Sequence, residues 1–291
     1  MRRNKITTGN VIITVVMIIW GLLIVYPFYN SILVSFMTHA EFMSKPFALY
    51  VSNPTLVAYK EIFSDDKFFN AYKITLEVLV IRLPLVLLVD SAMAYALSRK
   101  DFFGRKVINN LAVFTMYFGG GIVPLYLLVK QYGMLDNLSC MIILGYFGVY
   151  NTILMKNFFF TIPDSLEESA KIDGANDLRI YAQIYIPLAK PIIATIALFA
   201  AVGIWNSWYG PMIYISDSKK WPLQLVLREA INNATAPVKE DMADEMAMVK
   251  ETFALNVQMA SVVVTMLPIM LVYPFVQKYF MSGLTVGAVK G

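Results

Sequence analysis

The sequence is poor in the residues on which most metal and catalytic sites depend. Its 291 residues include one cysteine, Cys140, and one histidine, His39. One cysteine cannot form an internal disulfide, and one histidine cannot supply an HExxH zinc site. The pattern GxxxxGK[ST] is absent, so the chain has no P-loop with which to bind ATP. These absences argue against an enzyme and against a metal or cofactor held by this chain.

Charged residues are also scarce, at 15% of the chain against 58% for hydrophobic residues. Soluble proteins are nearer about 25% charged. Several apolar stretches reach the ~20 residues that a helix needs to cross a bilayer, and no basic run with interleaved aromatics suggests nucleic-acid binding. We therefore predict an all-α integral membrane protein, built as a single domain over residues 1–291. The six predicted spans are at approximately residues 11–35, 71–97, 107–129, 138–155, 188–215 and 254–280.

The basic residues predict which side of the membrane each loop occupies. Short cytoplasmic loops are enriched in lysine and arginine, as is the loop at residues 98–106. Arg2 and Arg3 precede an apolar run that is too long for a signal peptide and has no A-x-A site, so we interpret this run as the first span. The predicted sides are cytoplasmic for both termini and residues 156–190, and external for residues 38–70 and 216–252.

A polar, charged segment at residues 161–187 separates the fourth and fifth predicted spans. The pattern from Thr161 to Asp164 matches a capping box, which predicts the start of a helix. Gly174 can take the left-handed conformation that ends a helix, and Asn176 can cap a second one. We predict two short helices that are joined by a bend and exposed to water.

This segment resembles the EAA loop of ABC-importer permeases, which has the pattern E-A-A, then a glycine, then I-x-L-P. The matching residues are Glu168-Ser169-Ala170, Gly174, Ile184, Ile186 and Pro187, with Ser169 and Ile186 in place of alanine and leucine. Asp173-Gly174-Ala175 is typical of the carbohydrate branch of that family. The segments 94–100 and 205–209 resemble the same branch, and the whole chain is most similar to permeases for aldouronate and other polysaccharide fragments.

The resemblance implies a type I ABC-importer permease fold in the cytoplasmic membrane of a bacterial cell. It also implies a second permease, usually a different chain, two ATPases that bind ATP and Mg²⁺, and an external solute-binding protein that delivers an oligosaccharide. Residues 161–187 would then be the coupling loop that enters a cleft of the ATPase. The residues implied in coupling are Glu167, Glu168, Ser169, Ala170, Asp173, Gly174, Ala175 and Pro187.

Four residues of the fifth predicted span are candidates for the sugar path: Trp205, Asn206, Trp208 and Tyr209. Aromatic rings can stack on pyranose faces, and amides can bond to sugar hydroxyls. The alternative is an aromatic belt, since Trp and Tyr are enriched at the membrane interface. Because Trp205 and Tyr209 are spaced i and i+4, we predict that they share one helix face.

Glu77 and Arg82 lie well inside the second predicted span, where ionisable residues are costly and usually functional. Both are candidates for the substrate path. The alternative is that they pair with each other or with the partner permease and serve assembly. Their spacing is imperfect for a pair on one helix face, because side chains four apart meet better than side chains five apart.

Two other functions remain open at this point. The first is a permease of the same machinery for peptides or phosphorylated compounds, and the second is a secondary transporter or channel that works alone. Asp173-Gly174-Ala175 and the pair Trp205-Asn206 favour a sugar as the cargo. The EAA-like loop would have no role in a transporter without an ATPase.

Overall fold

The computed structural model describes residues 8–45, 47–145, 147–234, 255–272 and 274 of the chain. Throughout these ranges the regular secondary structure is helical and contains no strand, which confirms the all-α prediction. The described residues of Met1–Phe68 and Leu227–Leu267 form one compact unit, and those of Phe69–Val226 and Pro268–Gly291 form a second.

A 3₁₀ turn spans Ser218–Lys220. α10 includes a π-helical turn at Tyr181–Tyr185. The helices are α1 (Thr8–Phe36), α2 (His39–Ser44), α3 (Val57–Ser64), α4 (Asp66–Ser98), α5 (Arg105–Tyr117), α6 (Ile122–Gln131), α7 (Ser139–Ile143), α8 (Val149–Phe159), α9 (Asp164–Ile172), α10 (Asp177–Leu188), α11 (Lys190–Trp205), α12 (Tyr209–Tyr214), α13 (Leu223–Ala234) and α14 (Leu255–Val272).

Three described helices, α1, α4 and α14, are long and apolar enough to cross a membrane. The helix pairs α5–α6 and α10–α11 are bent by 111° and 80°, and would raise the number to five if each pair were one span. The last predicted span, 254–280, can be followed only through α14 because most of its remaining residues lie outside the described ranges. The count of six spans and the single domain therefore stay predictions.

Three of the predicted spans are interrupted in the structure. The third is broken between α5 and α6, where Gly121 has a φ of 84°. The fourth consists of the two short helices α7 and α8, and the fifth is broken between α11 and α12. Interrupted helices are tolerated at membrane depth only where other groups bond to the freed backbone, so the side chains at each break are informative.

In the first unit, side chains fix the loop that follows α2 and the position of α14. The Glu41 carboxylate accepts hydrogen bonds from the backbone N–H groups of Ser52 and, at 3.1 Å, Asn53. These bonds, above all the one from Ser52, hold the pKa of Glu41 below its usual range. Asn256 of α14 donates from Nδ2 to the Met37 carbonyl at 2.8 Å, just beyond the end of α1.

In the second unit, the buried core joins α4, α8, α10 and α11. Its members are mostly large apolar or aromatic residues with little exposure: Ala94, Tyr95, Met155, Phe159, Ile162, Ile180, Tyr185, Ala189, Ile192 and Ile196. Ala170 of α9 and Ala175, which follows it, pack against this cluster. The core therefore supports one side of the loop that the sequence singles out.

Candidate functional site

The start of α9 differs from the sequence prediction. Pro163 is the N-cap residue, and no side chain caps the first turn. The Thr161 hydroxyl instead donates to the Phe158 carbonyl at 2.7 Å. The predicted capping box is therefore wrong, because Thr161 lies in the turn that ends α8 and satisfies a carbonyl of that helix. Asp164 and Glu167 in the first turn of α9 still complement the helix dipole.

The bend after α9 forms as the sequence predicts. Gly174 has a φ of 77°, in the left-handed region. Its N–H bonds to the Lys171 carbonyl at 3.1 Å, and the N–H of Ala175 bonds to the Ala170 carbonyl at 2.9 Å. This pair of bonds is the Schellman arrangement, in which a residue with positive φ closes a helix end. The requirement for positive φ explains why glycine stands here.

The second helix is also capped as predicted. Asn176 has extended backbone angles, and its Oδ1 accepts from the backbone N–H of Arg179 at 2.8 Å. α10 then continues through its π turn to Pro187, and the chain bends by 80° into α11, which has Pro191 in its first turn. Neither proline has an N–H to donate to a helical hydrogen bond. The loop therefore ends in a sharp turn between α10 and α11.

The coupling candidates lie on two different sides of the loop. Glu168, Ser169, Asp173 and Gly174 are exposed. The Glu167 side chain is only 13% exposed, and the half-buried Ala170 and Ala175 contact the core. Pro187, at the far end of the loop, is exposed. The sequence predicts these residues as one set, whereas the structure divides them into an outer and an inner face.

The inner face of α9 is tied to the end of α4 by an ion pair. The guanidinium of Arg99, the residue after α4, pairs with the Glu167 carboxylate, and each side chain is 13% exposed. Nη2 of Arg99 also donates to the Tyr185 hydroxyl at 2.6 Å, and that hydroxyl donates to Glu167 Oε2 at 3.3 Å. The other Glu167 oxygen pairs with Lys171 at 2.8 Å. Arg99, Tyr185 and Glu167 thus each contact the other two.

Aromatic rings enclose this ion pair. The Arg99 guanidinium lies 4.9 Å from the ring centre of Tyr95 and 4.5 Å from that of Tyr185, and the two rings meet edge to face at 5.0 Å. A cation held over aromatic faces gains further stabilisation when water is excluded. A charge pair that is largely buried resists separation, because removing one partner leaves the other uncompensated. The end of α4 and the inner face of α9 are therefore expected to move together.

A second, exposed ion pair lies beside the first. Lys100 Nζ is 3.0 Å from Asp164 Oδ2. Its hydrogen bond and its charge hold the pKa of Asp164 below its usual range. Exposed pairs of this kind contribute little to stability, so this contact serves as a natural control for the buried one.

The candidate path residues lie on both sides of a break in the fifth predicted span. α11 ends at Trp205, which is 5% exposed and meets Tyr72 edge to face at 5.5 Å. α12 begins at Tyr209, whose ring meets Trp208 edge to face at 5.5 Å. Trp205 and Tyr209 therefore belong to different helices, and the prediction that they share one helix face is wrong. The exposed Asn206 accepts from Gln224 Nε2 at 3.1 Å.

Glu77 and Arg82 do not pair with each other. Oε1 of Glu77 lies 3.8 Å from Nζ of Lys73, one helical turn earlier. Arg82 donates from Nη1 to the Met141 carbonyl at 2.9 Å and from Nη2 to the Gly145 carbonyl at 3.0 Å. The arginine thus satisfies backbone carbonyls at the end of α7, where the fourth predicted span is interrupted.

The other side of the same interruption is held by Asp90, which sequence reasoning did not include among the sites. Its fully buried carboxylate accepts from the Gly148 N–H at 2.8 Å and from the Thr152 hydroxyl at 3.4 Å. An acid placed at the start of α8 complements the helix dipole. Arg82 and Asp90 stand in the same apolar predicted span. Two ionisable residues in one such span are the sequence signal that points to this site.

The two glycines at this break are closely packed against these side chains. Gly145 has a φ of 76°, and a Cβ there would lie 2.9 Å from Nη2 of Arg82. A Cβ at Gly148 would lie 2.8 Å from Nδ2 of Asn151 and 3.1 Å from an oxygen of Asp90. We call Arg82, Asp90 and these two glycines the span clamp. It holds both ends of the break against the single helix α4.

Residues 9–286 match the family described as binding-protein-dependent transport system inner membrane component, so the chain belongs to that family. It is therefore the membrane permease subunit of an ABC importer and not an enzyme. Such importers also contain a partner permease, an ATPase and a solute-binding protein.

Several relatives are named for carbohydrate transport. The chain is 42% identical over 275 residues to a polygalacturonan/rhamnogalacturonan transport system permease protein of Bacillus subtilis, covering 94% of this chain and 96% of the relative. A galactooligosaccharides transport system permease protein of the same organism is 29% identical over 278 residues, covering 93% and 92%. The crystal structure of a bacterial ABC transporter involved in the import of the acidic polysaccharide alginate matches with a TM-score of 0.83 and 33% identity, covering 94% of this chain and 96% of that one.

Proposed function

We propose that this chain is one of two permeases of an importer for oligosaccharides released from acidic polysaccharides. The support for a sugar is that the named relatives transport carbohydrates. The support for an acidic one is that the polygalacturonan/rhamnogalacturonan permease is 42% identical, against 29% for the galactooligosaccharide permease, and that the alginate transporter shares the fold. ATP and Mg²⁺ are bound by two partner ATPases, and an external binding protein delivers the sugar.

The observation that carries the proposed mechanism is the division of α9 into two faces. Its inner face is held to α4 by the Arg99–Glu167 pair, while Glu168, Ser169 and Asp173 on the outer face are exposed. A helix that is bound to its own chain on one side and open on the other can receive motion from a partner and pass it on. The outer face is therefore assigned to the ATPase.

ATP binding draws the two ATPases together, and α9 moves with the one on which it docks. The Arg99–Glu167 pair passes this displacement to α4, and α8 follows because Asp90 of α4 holds its first turn. The two permeases then change from the inward-facing to the outward-facing state. This is a population shift, driven by the different affinities of the two states for ATP.

The span clamp is expected to be needed for this transmission. Arg82→Leu leaves the carbonyls of Met141 and Gly145 without their donors inside a span, where unsatisfied backbone groups cost several kcal/mol each by order of magnitude. We expect an uptake loss of about tenfold or more, or failure to assemble with the partner permease. Lys73→Leu, on the same helix and 73% exposed at its side chain, is the control and should have little effect. Normal assembly and uptake with Arg82→Leu would remove the clamp from the mechanism.

Asn206→Ala tests the candidate sugar path. If the amide contacts sugar hydroxyls, sugar uptake should fall several-fold while the assembled complex still hydrolyses ATP. Gln224→Ala removes the same hydrogen bond from its other end and is the matched control. An equal loss from both substitutions would show that the bond between these two side chains matters, and not contact of Asn206 with the sugar.

The orientation that we propose has both termini and α9 in the cytoplasm. In a Cys140→Ser background, Asp65→Cys should react with a membrane-impermeant maleimide on intact cells, because Asp65 is exposed in a loop assigned to the outside. Asp177→Cys, at a position that is also exposed at the start of α10, should react only after the membrane is permeabilised. The opposite labelling pattern would reverse the assignment.

The cargo is tested by reconstitution of the complete importer with its binding protein in proteoliposomes. We expect ATP-dependent uptake of labelled oligogalacturonides that exceeds uptake of a neutral galactooligosaccharide of equal length. Preference for the neutral sugar would shift the assignment towards neutral cargo. Uptake by this chain alone, without ATPase and ATP, would instead favour a stand-alone transporter.

A further inference from the structure

A recess lined by cations lies next to the coupling loop and has no part in the mechanism above. Its lining includes four cationic side chains, those of Lys100, Arg105, Lys106 and Lys156, together with the amides of Asn109 and Asn110. None of the residues that line it is acidic. The cations come from two separate parts of the chain, residues 100–106 at and just before the start of α5, and Lys156 near the end of α8. The fold therefore brings them together.

Several of these side chains are fixed by contacts that leave their charge uncompensated. Lys156 Nζ donates to Asn109 Oδ1 at 2.5 Å, and the Arg105 guanidinium lies 5.4 Å from the ring centre of Phe160. In the part of the chain that the structure describes, Lys100 alone among the four cations has a carboxylate partner, Asp164. Like charges gathered without counter-charges disfavour one another, so an anion in the recess would relieve a repulsion that the fold itself creates.

The start of α5 opens onto the same recess. Gly104 is its N-cap residue, with a φ of 77° and no side chain that caps the first turn. α5 has 13 residues, and the first N–H groups of a helix together with its dipole favour an anion. Cations, amides and an uncapped helix start thus converge on one concave surface.

The surroundings of the recess indicate where its anion comes from. Phe103 is 96% exposed, and Val107 and Leu111 on α5 are 63% and 59% exposed. None of the residues of α5 is buried. Apolar side chains next to lysines and arginines are typical of the boundary between lipid tails and headgroups. The recess therefore lies where the apolar surface of α5 meets the polar loop.

We propose that this recess binds the phosphate headgroup of an anionic phospholipid from the cytoplasmic leaflet. The inference rests on the proposed orientation, which places residues 98–106 in the cytoplasm, but not on the identity of the sugar. Basic pockets between membrane helices on the cytoplasmic side are suited to such headgroups. Arg105 supplies a planar fork of donors that matches a phosphate, and the lysines supply point charges. A bound lipid would sit beside Lys100 and so next to the helix that docks on the ATPase.

The test measures lipid retained by the full chain, purified with its partner permease from membranes and exchanged into mixed vesicles. Native mass spectrometry should detect phosphatidylglycerol bound in preference to phosphatidylcholine. Arg105→Gln with Lys106→Gln should lower the retained phosphatidylglycerol by about tenfold, since each cation near the surface contributes to the attraction. Lys73→Gln with Lys130→Gln, which removes the same charge away from the recess, should leave retention unchanged.

Each of the following three outcomes would contradict the proposal. Equal retention in all three proteins would show that the recess is not the lipid site. Displacement of the lipid by millimolar inorganic phosphate would identify a site for a soluble anion. Unchanged lipid retention with loss of the co-purifying ATPase would identify a docking site for an acidic protein surface.

A second measurement covers the case in which the double variant fails to fold. The melting temperature of the wild-type complex should rise in phosphatidylglycerol relative to phosphatidylcholine, and the single variant Lys106→Gln should show a smaller rise. Identical shifts for the two proteins would contradict the proposal. Because neither readout uses transport, the result is independent of the cargo assignment.

Discussion

Gly174→Val is expected to leave the permease inserted and paired with its partner but to abolish ATP-driven uptake. The backbone φ of 77° at this position disfavours a β-branched residue, while no heavy atom beyond its chain neighbours lies within 4 Å of the place a Cβ would take. The effect should therefore come from backbone strain of about 1–3 kcal/mol and not from a collision. Strain of that size is too small to unfold the protein, but it is large enough to displace a helix that must fit a cleft.

Gly174→Asn is the matched control, because asparagine tolerates the left-handed conformation better than other non-glycine residues. It should recover a large part of both ATPase binding and uptake. Glu168→Lys, which reverses a charge on the outer face without touching the bend, should lose ATPase binding as Gly174→Val does. The measurement is the amount of ATPase that co-purifies with tagged permease, together with uptake of labelled sugar. Wild-type values for Gly174→Val would rule out a coupling role for the bend.

Arg99→Gln is expected to have a different signature: the ATPase still binds, but much less sugar is imported per ATP hydrolysed. The substitution leaves Glu167 largely buried beside Tyr185 without its arginine. Breaking a buried ion pair costs on the order of 3–5 kcal/mol, and the value here should be lower because both side chains are 13% exposed. The outer face of α9 is unchanged, so docking should persist while transmission to α4 fails.

Two variants make this prediction specific. Lys100→Gln removes the neighbouring exposed pair with Asp164 and should have little effect on uptake per ATP. The double substitution Arg99→Gln with Glu167→Gln removes both charges and should harm transport less than either single substitution, because neither buried charge is then left without its buried partner. A loss from Arg99→Gln no greater than that from Lys100→Gln would show that the buried pair transmits nothing.

Local signals in the sequence were enough to predict the bend after α9 and the cap of α10. The left-handed Gly174 and the Asn176 cap each depend on a residue type with a strong preference for one backbone conformation. Thr161 failed as a cap because a second acceptor, the Phe158 carbonyl, competes for its hydroxyl. Such competition depends on how the preceding helix ends, which spacing alone does not reveal.

The interruption of the fourth span was harder to predict from sequence. An apolar run looks the same whether its helix is continuous or broken, because hydrophobicity measures burial in lipid and not the path of the backbone. The break between α7 and α8 is possible because Arg82 and Asp90 of another helix bond to the freed groups. Those contacts join residues roughly sixty positions apart, so no local pattern contains them. Glu167 likewise lies on the inner face of α9 because it pairs with Arg99, a residue far from it in the sequence.

The assignment of the outer face of α9 to the ATPase is tested most directly at two adjacent residues, one exposed and one packed against the core. In a Cys140→Ser background, Ser169→Cys places a thiol on the exposed face, and Ala170→Cys places one on the half-buried face against the core. A short thiol-reactive photo-crosslinker is attached to each in membranes that contain the complete importer. We expect a crosslink to the ATPase from position 169 and very little from position 170. Equal crosslinking from both positions, or none from 169, would contradict this assignment.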